Sequence, residues 1–247
     1  MVGTVTLEVL RNDPESGQSD FHRFEIKYED DWVILDGLNH IKDYIDGSLS
    51  HRWSCRMGVC GSCGMVVNGM PTLTCSTFIR DYLPGPIRVE PLTNFKVERD
   101  LIVDLDSFLG KLQKVRPWIL RNEEAPLEDG EYLQTPAQLA TFKQFTLCIN
   151  CMLCYSACPV VSHEPDFIGP AALALGHRYN LDSRDQGTAT RQDEMLSSDG
   201  IWSCTFVGEC SQVCPKHVDP AGAIQQSKVS GVMAYFKSLV MPLGSRK

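Results

Sequence analysis

Residues 148–159 read Cys-Ile-Asn-Cys-Met-Leu-Cys-Tyr-Ser-Ala-Cys-Pro, a run that points to bound iron in the second half of the chain. The spacing is C-x2-C-x2-C-x3-C-P, in which three cysteines bind one 4Fe-4S cluster and the fourth binds a different cluster. Further along, Cys204, Cys210 and Cys214 repeat the run, except that Val207 stands where its second cysteine belongs. The two runs therefore predict a pair of clusters that share their ligands.

The valine changes the kind of cluster that the second set can bind. The predicted ligands of a 4Fe-4S cluster are Cys148, Cys151, Cys154 and Cys214, and those of a second cluster are Cys158, Cys204 and Cys210. Three thiolates predict a 3Fe-4S cluster. Its open corner could instead belong to a catalytic, dehydratase-like cluster that binds a substrate through a labile iron. An apolar side chain at the vacancy argues against that alternative, because it disfavours water or substrate there.

A different cysteine pattern occupies the first half of the chain. Cys55, Cys60, Cys63 and Cys75 have the C-x4-C-x2-C spacing, with a distant fourth cysteine, that holds a plant-type 2Fe-2S cluster. Glycines at 58, 61 and 64 would let backbone N–H groups approach the cluster sulfurs. A structural zinc site is the alternative, but it favours pairs of short C-x2-C knuckles. All 11 cysteines are then assigned, as four, four and three.

Composition excludes several classes of protein. The 247 residues are 43% hydrophobic and 22% charged, as in ordinary globular proteins, and the net charge of -8 offers no basic surface for a phosphate backbone. Nucleic acid is therefore not an expected partner. No window reaches the ~18 apolar residues of a transmembrane helix, and the N-terminus lacks a signal-peptide pattern. A zinc-stabilised interaction module stays open as a function without redox chemistry.

Hydrophobic patterning predicts an α+β first half. Alternation predicts a strand pair at 4–9 and 24–28, and helical spacing predicts a helix at 35–45. Asn68-Gly69 between short apolar runs predicts a type I′ hairpin over 64–74, and 87–92 supplies a last strand. A sheet with one helix packed across it follows from this order.

The second half is predicted to be mostly helical. The predicted helices cover 104–115, a segment opened by Thr135-Pro136, 170–180 and 219–239. The Pro, Gly and acidic segment 117–133 is predicted to be a surface excursion. Residues 229–242 carry many apolar side chains and one charge, a composition that fits either a packed terminal helix or a segment that docks on membrane anchors.

These residues resemble the iron-sulfur subunit of the succinate dehydrogenase and fumarate reductase family over nearly the whole chain. The segments that carry the resemblance are 54–64, 148–159, 167–171, 182–185 and 204–216. The resemblance implies an α+β chain of two domains. Residues 1–105 would form a β-grasp, plant-type 2Fe-2S ferredoxin domain, and residues 106–247 a mostly α-helical domain, similar to bacterial ferredoxins, with 4Fe-4S and 3Fe-4S clusters.

The family also implies a role in a complex. A flavoprotein subunit with covalent FAD would interconvert succinate and fumarate, and this chain would transfer electrons without a dicarboxylate site of its own. One or two hydrophobic anchor subunits would hold it on the cytoplasmic face of the bacterial inner membrane, with a quinone site near the 3Fe-4S cluster. Another flavoprotein oxidoreductase as the partner is the alternative.

The fumarate reductase branch of the family looks nearer than the dehydrogenase branch. The dehydrogenase branch usually carries tryptophan shortly after the position of Pro159, where this chain has Val-Val-Ser-His. The resemblance therefore implies a menaquinol-oxidising fumarate reductase, with a ubiquinone-linked succinate dehydrogenase as the alternative. The residues implied to line the quinone pocket are Thr205, Phe206, Gln225 and Lys228. A solvated helix lysine is the simpler interpretation of Lys228.

Overall fold

A computed structural model describes residues 3–240 of the chain. The strands in this part are β1 (Gly3–Asn12), β2 (Ser19–Tyr28), β3 (Gly64–Val67), β4 (Met70–Leu73), β5 (Ile87–Glu90), β6 (Val97–Arg99) and β7 (Ile102–Val103). The helices are α1 (Ile34–Tyr44), α2 (Asp106–Lys114), α3 (Pro136–Phe142), α4 (Leu153–Ser156), α5 (Pro159–His163), α6 (Pro170–Asn180), α7 (Thr188–Met195), α8 (Glu209–Gln212) and α9 (Pro220–Val240). The predicted α+β class is confirmed.

The chain divides into two compact units that are discontinuous in sequence. The first unit runs to Phe108 and also takes in Ile149–Ala157 and Val213–Lys216. The second unit holds Leu109–Cys148, Cys158–Gln212 and the chain from His217 onward. The domain boundary that we expect between residues 105 and 106 stays a prediction.

A five-stranded sheet with strand order β2-β1-β5-β3-β4 forms the centre of the first unit. β1 and β2 pair antiparallel along their full length, as the alternation predicts, and β5 pairs parallel to β1. β3 and β4 form the predicted hairpin, and Asn68 and Gly69 adopt the positive φ angles of 47° and 83° that a type I′ turn requires. The Asn-Gly signal therefore predicted both the turn and the strand pairing.

Helix α1 covers one face of this sheet. Its apolar residues Ile34, Leu38 and Ile41 recur at helical spacing and are fully buried in the core with Leu7 and Ile26. Burying side chains of this size stabilises the fold by about 1.5–3 kcal/mol each. The helix ends at Tyr44, next to the Asp-Gly pair that predicted its end.

The segment Ile149–Ala157 is fixed to the sheet unit by polar and aromatic contacts. Thr93 donates from its N–H to Ser156 Oγ at 3.0 Å and from Oγ1 to the Ser156 carbonyl at 2.7 Å. Asn94 donates from Nδ2 to the Tyr155 carbonyl at 2.8 Å. The Tyr155 ring meets Phe108 edge to face at 5.0 Å. These contacts hold α4 in one place in the first unit.

The second unit is mostly helical, as expected. α3 begins at Pro136 with Thr135 as a capping-box residue, and α6 coincides with the predicted 170–180. α6 packs on α9, and His177 on α6 is 4% exposed and lies 3.0 Å from Ser227 Oγ and 3.1 Å from Gln226 Oε1. The segment 117–133 is irregular apart from one short 3-10 turn, as predicted. The four-to-eight-residue helices α4, α5, α7 and α8 were not predicted.

Candidate metal centres

The first cysteine loop wraps around the sulfur of Cys55. Backbone N–H groups of Met57, Val59 and Cys60 donate to Cys55 Sγ at 3.5, 3.3 and 3.3 Å. These donors, with a side-chain hydrogen bond from Cys60, lower the pKa of Cys55 to about 6. The loop is therefore built to hold a thiolate, the form of cysteine that binds metal.

Cys63 and Cys75 approach the same loop from the hairpin. Cys63 lies just before β3, Cys75 lies in a 3-10 turn after β4, and both are buried. Burial and hydrogen bonding to Cys63 raise the pKa of Cys75 to about 11, and the charge of Cys55 acts in the same direction. The loop and the hairpin thus bring all four predicted 2Fe-2S ligands together, from the two directions that the spacing implies.

The second set of cysteines is divided by the fold. Cys151 and Cys154 lie in the first unit and are each 9% exposed. Cys214 lies in the same unit, and its neighbour Val213 packs against the apolar core that contains Cys151. Cys151, Cys154 and Cys214 therefore belong to one unit, and their binding of a common cluster stays a prediction. Cys148 is the last residue of a second-unit segment, directly before this part of the chain.

The three remaining cysteines lie together in the second unit. Cys158, Cys204 and Cys210 line one pocket with Phe206 and Val207. Burial, with the charges of Cys158 and Cys204 acting in the same direction, raises the pKa of Cys210 to about 11. Three thiols within electrostatic reach of one another, beside an apolar side chain, fit the donor set expected for a 3Fe-4S cluster.

Lys228, on α9, is bonded to the loop that carries Cys204. Its Nζ donates to the Cys204 carbonyl at 2.7 Å, and the residue is half-buried. Thr205 and Phe206 are exposed on the same loop, next to the cysteine pocket. Gln225 Nε2 is buried and has no hydrogen-bond partner among residues 3–240. Lys228, Thr205 and Phe206 thus lie close to the third cysteine set.

No group of three or more His, Cys, Asp or Glu side chains in the described part of the chain is arranged around a single metal ion.

Comparisons with known proteins agree with the cysteine patterns. Residues 6–110 match the family of 2Fe-2S iron-sulfur cluster binding domains, and residues 144–218 match the family of 4Fe-4S dicluster domains. A protein from Mycobacterium tuberculosis, "Fumarate reductase iron-sulfur subunit", is 58% identical over 245 residues, which are 99% of each chain. The chain belongs to the fumarate reductase and succinate dehydrogenase iron-sulfur subunit family.

Within this family the fumarate reductase subunits are the nearer relatives. A "Succinate dehydrogenase iron-sulfur subunit" from Coxiella burnetii is 36% identical, over 90% of this chain and 94% of its own. A solved structure, "Mycobacterium smegmatis Sdh1 complex in the apo form", contains a similar chain with a TM-score of 0.85. Its sequence is 25% identical, and the match covers 96% of this chain and 98% of that one. The predicted family and fold class are confirmed.

Exposed apolar side chains occur both beside the third cysteine set and on α9. They are Trp202, Phe206, Val207, Val229, Val232, Met233, Tyr235 and Phe236, and we call this set the α9 face. The side chains of Leu239 and Val240, and residues Met241 and Pro242, also belong to the apolar segment 229–242 but lie outside the described residues. No helix of the described chain has the length and apolarity needed to cross a membrane.

Sequence reasoning missed the burial of Lys111 in the second unit. Lys111 on α2 is 8% exposed, donates to the Pro165 carbonyl at 2.6 Å, and lies within electrostatic range of Cys158. A lysine on a helix that also carries exposed Lys114 gives no sequence signal of its burial. The role expected for the glycines at 61 and 64, to admit N–H groups to the cluster sulfurs, stays a prediction, and the structure in addition packs both against the second cysteine run.

Proposed function

We propose that this chain is the electron-transfer subunit of a membrane-bound, menaquinol-oxidising fumarate reductase. It carries electrons between a quinone site and the FAD of a flavoprotein subunit, where fumarate is reduced to succinate. One or two hydrophobic anchor subunits hold it at the cytoplasmic face of the bacterial inner membrane. The 58% identity to a protein named for this role supports the assignment to the fumarate reductase branch.

The cysteine pattern carries the proposal, and the fold supports it by bringing the first set and the third set of cysteines each together. We assign Cys55, Cys60, Cys63 and Cys75 to a 2Fe-2S cluster; Cys148, Cys151, Cys154 and Cys214 to a 4Fe-4S cluster; and Cys158, Cys204 and Cys210 to a 3Fe-4S cluster. Bound clusters supply one-electron transfer, in the order FAD, 2Fe-2S, 4Fe-4S, 3Fe-4S and quinone. The thiolate-stabilising loop around Cys55 and the valine beside the third set support this assignment.

The residues around the third set suit a quinone. Lys228 presents a cation that is fixed to the Cys204 carbonyl, and Gln225 has an amide group free to donate a hydrogen bond. Thr205 and Phe206 add a hydroxyl and an aromatic ring on the exposed side of the cysteine pocket. The α9 face supplies exposed apolar side chains, which is the chemistry that a hydrophobic anchor subunit would contact.

Electron paramagnetic resonance of the anaerobically purified complex, oxidised and then reduced stepwise, tests the assignment. A three-iron signal in the oxidised sample, with 2Fe-2S and 4Fe-4S signals on reduction, is the expected result, and iron and sulfide assays should agree with it. Zinc, or a single cluster type, would overturn the proposal. We expect the complex to reduce fumarate with menaquinol faster than it reduces ubiquinone with succinate. The reverse order of rates would favour a succinate dehydrogenase. A partner without covalent flavin would indicate another flavoprotein oxidoreductase.

A further inference from the structure

Two glycines of the first cysteine loop touch the second cysteine run at its backbone. A Cβ atom at Gly61 would lie 2.8 Å from Cys151 Cα, 2.9 Å from Cys151 Cβ and 3.1 Å from the Ile149 carbonyl oxygen. At Gly64 it would lie 3.1 Å from the Cys151 carbonyl oxygen and 3.1 Å from Leu153 Cδ2. Non-bonded carbons prefer about 3.5–4.0 Å. There is no room for a side chain at Gly61, and little at Gly64.

Gly58, in the same loop, has a different environment. Its φ of +64° is close to the +76° of Gly61, so both positions favour glycine for conformational reasons. A Cβ at Gly58, however, would meet nothing within 4 Å. Both positions therefore require a positive φ, but only at Gly61 would a side chain collide with another part of the chain.

The surface that Gly61 meets is rigidly held. Cys151 and Leu153 are buried in one apolar core with Cys63 and Cys75, so the two cysteine sets share a packed interior. The hydrogen bonds from Thr93 and Asn94 fix the following turn of chain, as described above. Because packed interiors deform little, a methyl group at Gly61 would separate the two loops by more than half an ångström.

We propose that Gly61 is a positioning residue that sets the separation of the 2Fe-2S and 4Fe-4S clusters. The inference rests on the proposed function, since it takes Cys60, Cys63 and Cys151 as cluster ligands. Gly61 lies between two ligands of one cluster and its α-carbon lies against a ligand of the other. Because glycine has no side chain, the two ligand loops come into direct backbone contact at this point. This close approach strengthens the electronic coupling between the clusters.

The test uses the full chain assembled with its partner subunits, reduced until both clusters are paramagnetic. The quantity measured is the broadening and faster relaxation that the 4Fe-4S spin imposes on the 2Fe-2S signal, which weakens as the clusters separate. We expect Gly61→Ala to reduce this interaction. The control is Gly69→Ala, at a hairpin-turn glycine that also has a positive φ and an open surrounding, and it should keep the wild-type value. An interaction in Gly61→Ala equal to wild type, with both clusters present, would overturn the inference.

Gly64→Ala is the second variant, in case Gly61→Ala does not assemble. Gly64 does not have a positive φ, and its contacts are longer, so we expect a smaller decrease in the spin interaction. No decrease in Gly64→Ala would then overturn the inference. A wild-type complex that lacks either signal would instead overturn the proposed function, and the inference with it. Failure of the inference and failure of the proposed function therefore give different spectra.

Discussion

Lys228 Nζ lies 2.7 Å from the carbonyl oxygen of Cys204 and donates a hydrogen bond to it. The bond joins the long helix α9 to the loop that carries one ligand of the proposed 3Fe-4S cluster. A positive charge on this side chain would favour the reduced, more negative state of a cluster bound by that loop. The proposed cluster and the proposed quinone site would both lie near this one lysine.

Replacing Lys228 by Met should lower the midpoint potential of the three-iron centre. We expect a shift of about 60 mV, the one-electron equivalent of roughly 1.4 kcal/mol, together with slower quinol oxidation. A redox titration followed by electron paramagnetic resonance measures the shift. Lys143→Met, at an exposed position in the same unit, is the control and should leave the potential unchanged. Equal potentials in the Lys228 variant and wild type would contradict this role.

Val207→Cys should convert the third centre to a four-iron cluster. Val207 lines the same pocket as Cys158, Cys204 and Cys210, at the position of the missing ligand. We expect the three-iron signal of the oxidised protein to disappear, the potential to fall and quinone turnover to slow. Electron paramagnetic resonance and iron content provide the measurement. Val207→Ser is the control, because it changes polarity without a thiolate, and a persistent three-iron signal in the cysteine variant would refute the account of the valine.

Arg191→Met should destabilise the second unit strongly. Arg191 is fully buried, binds both carboxylate oxygens of Asp185 at 2.7 Å, and donates to the carbonyls of Arg116 and Trp118. Removing one partner of a buried pair costs about 3–5 kcal/mol. Arg23, whose side chain is 78% exposed beside Glu8, is the control, and its replacement by Met should cost less than about 1 kcal/mol. Denaturant unfolding followed by circular dichroism compares the two, and similar losses would contradict the prediction.

His51 should make the first unit less stable in mild acid. Burial, with the charge of Lys42 nearby, lowers the pKa of His51 to about 4, and Nε2 lies 2.9 Å from Asn39 Oδ1. The unfolded chain then binds a proton below about pH 6.5 that the folded chain rejects, so stability falls as the pH falls from there towards 4.

We expect a loss of about 1 kcal/mol in the free energy of unfolding between about pH 7.5 and about pH 5.5. His51→Gln removes the titrating group, so its unfolding should lack this share of the pH dependence. The quantity compared is the difference in the free energy of unfolding between the wild type and His51→Gln at each pH. The contributions of the other titrating groups cancel in this difference. Identical pH dependence in both proteins would show that His51 titrates normally.

The features that could be predicted from the sequence have local signals. The spacing of the cysteines, the Asn68-Gly69 turn and the Thr135 cap each depend on a few consecutive residues, and the structure has the turn and the cap where they were predicted. Helices such as α4 and α8 are only one turn long, so they show no hydrophobic period. Their positions depend on the cysteine loops that they adjoin.

The contact between Gly61 and Cys151 has no signal in the sequence. The two residues are far apart in the chain, and a glycine in a cysteine loop has a sufficient explanation in backbone conformation alone. Lys111 is similar, because the Pro165 carbonyl that it binds belongs to a distant segment. Long-range packing of this kind becomes visible only when the tertiary structure is known.

The discontinuity of the two units has a consequence for the order of biosynthesis. The chain passes from one unit to the other five times, and the last first-unit segment is Val213–Lys216. The first unit can therefore be completed only after residues 213–216 have been synthesised, although most of that unit is made first. A nascent chain that stalls before residue 213 lacks both Cys214 and the Val213 side chain that packs on the core around Cys151.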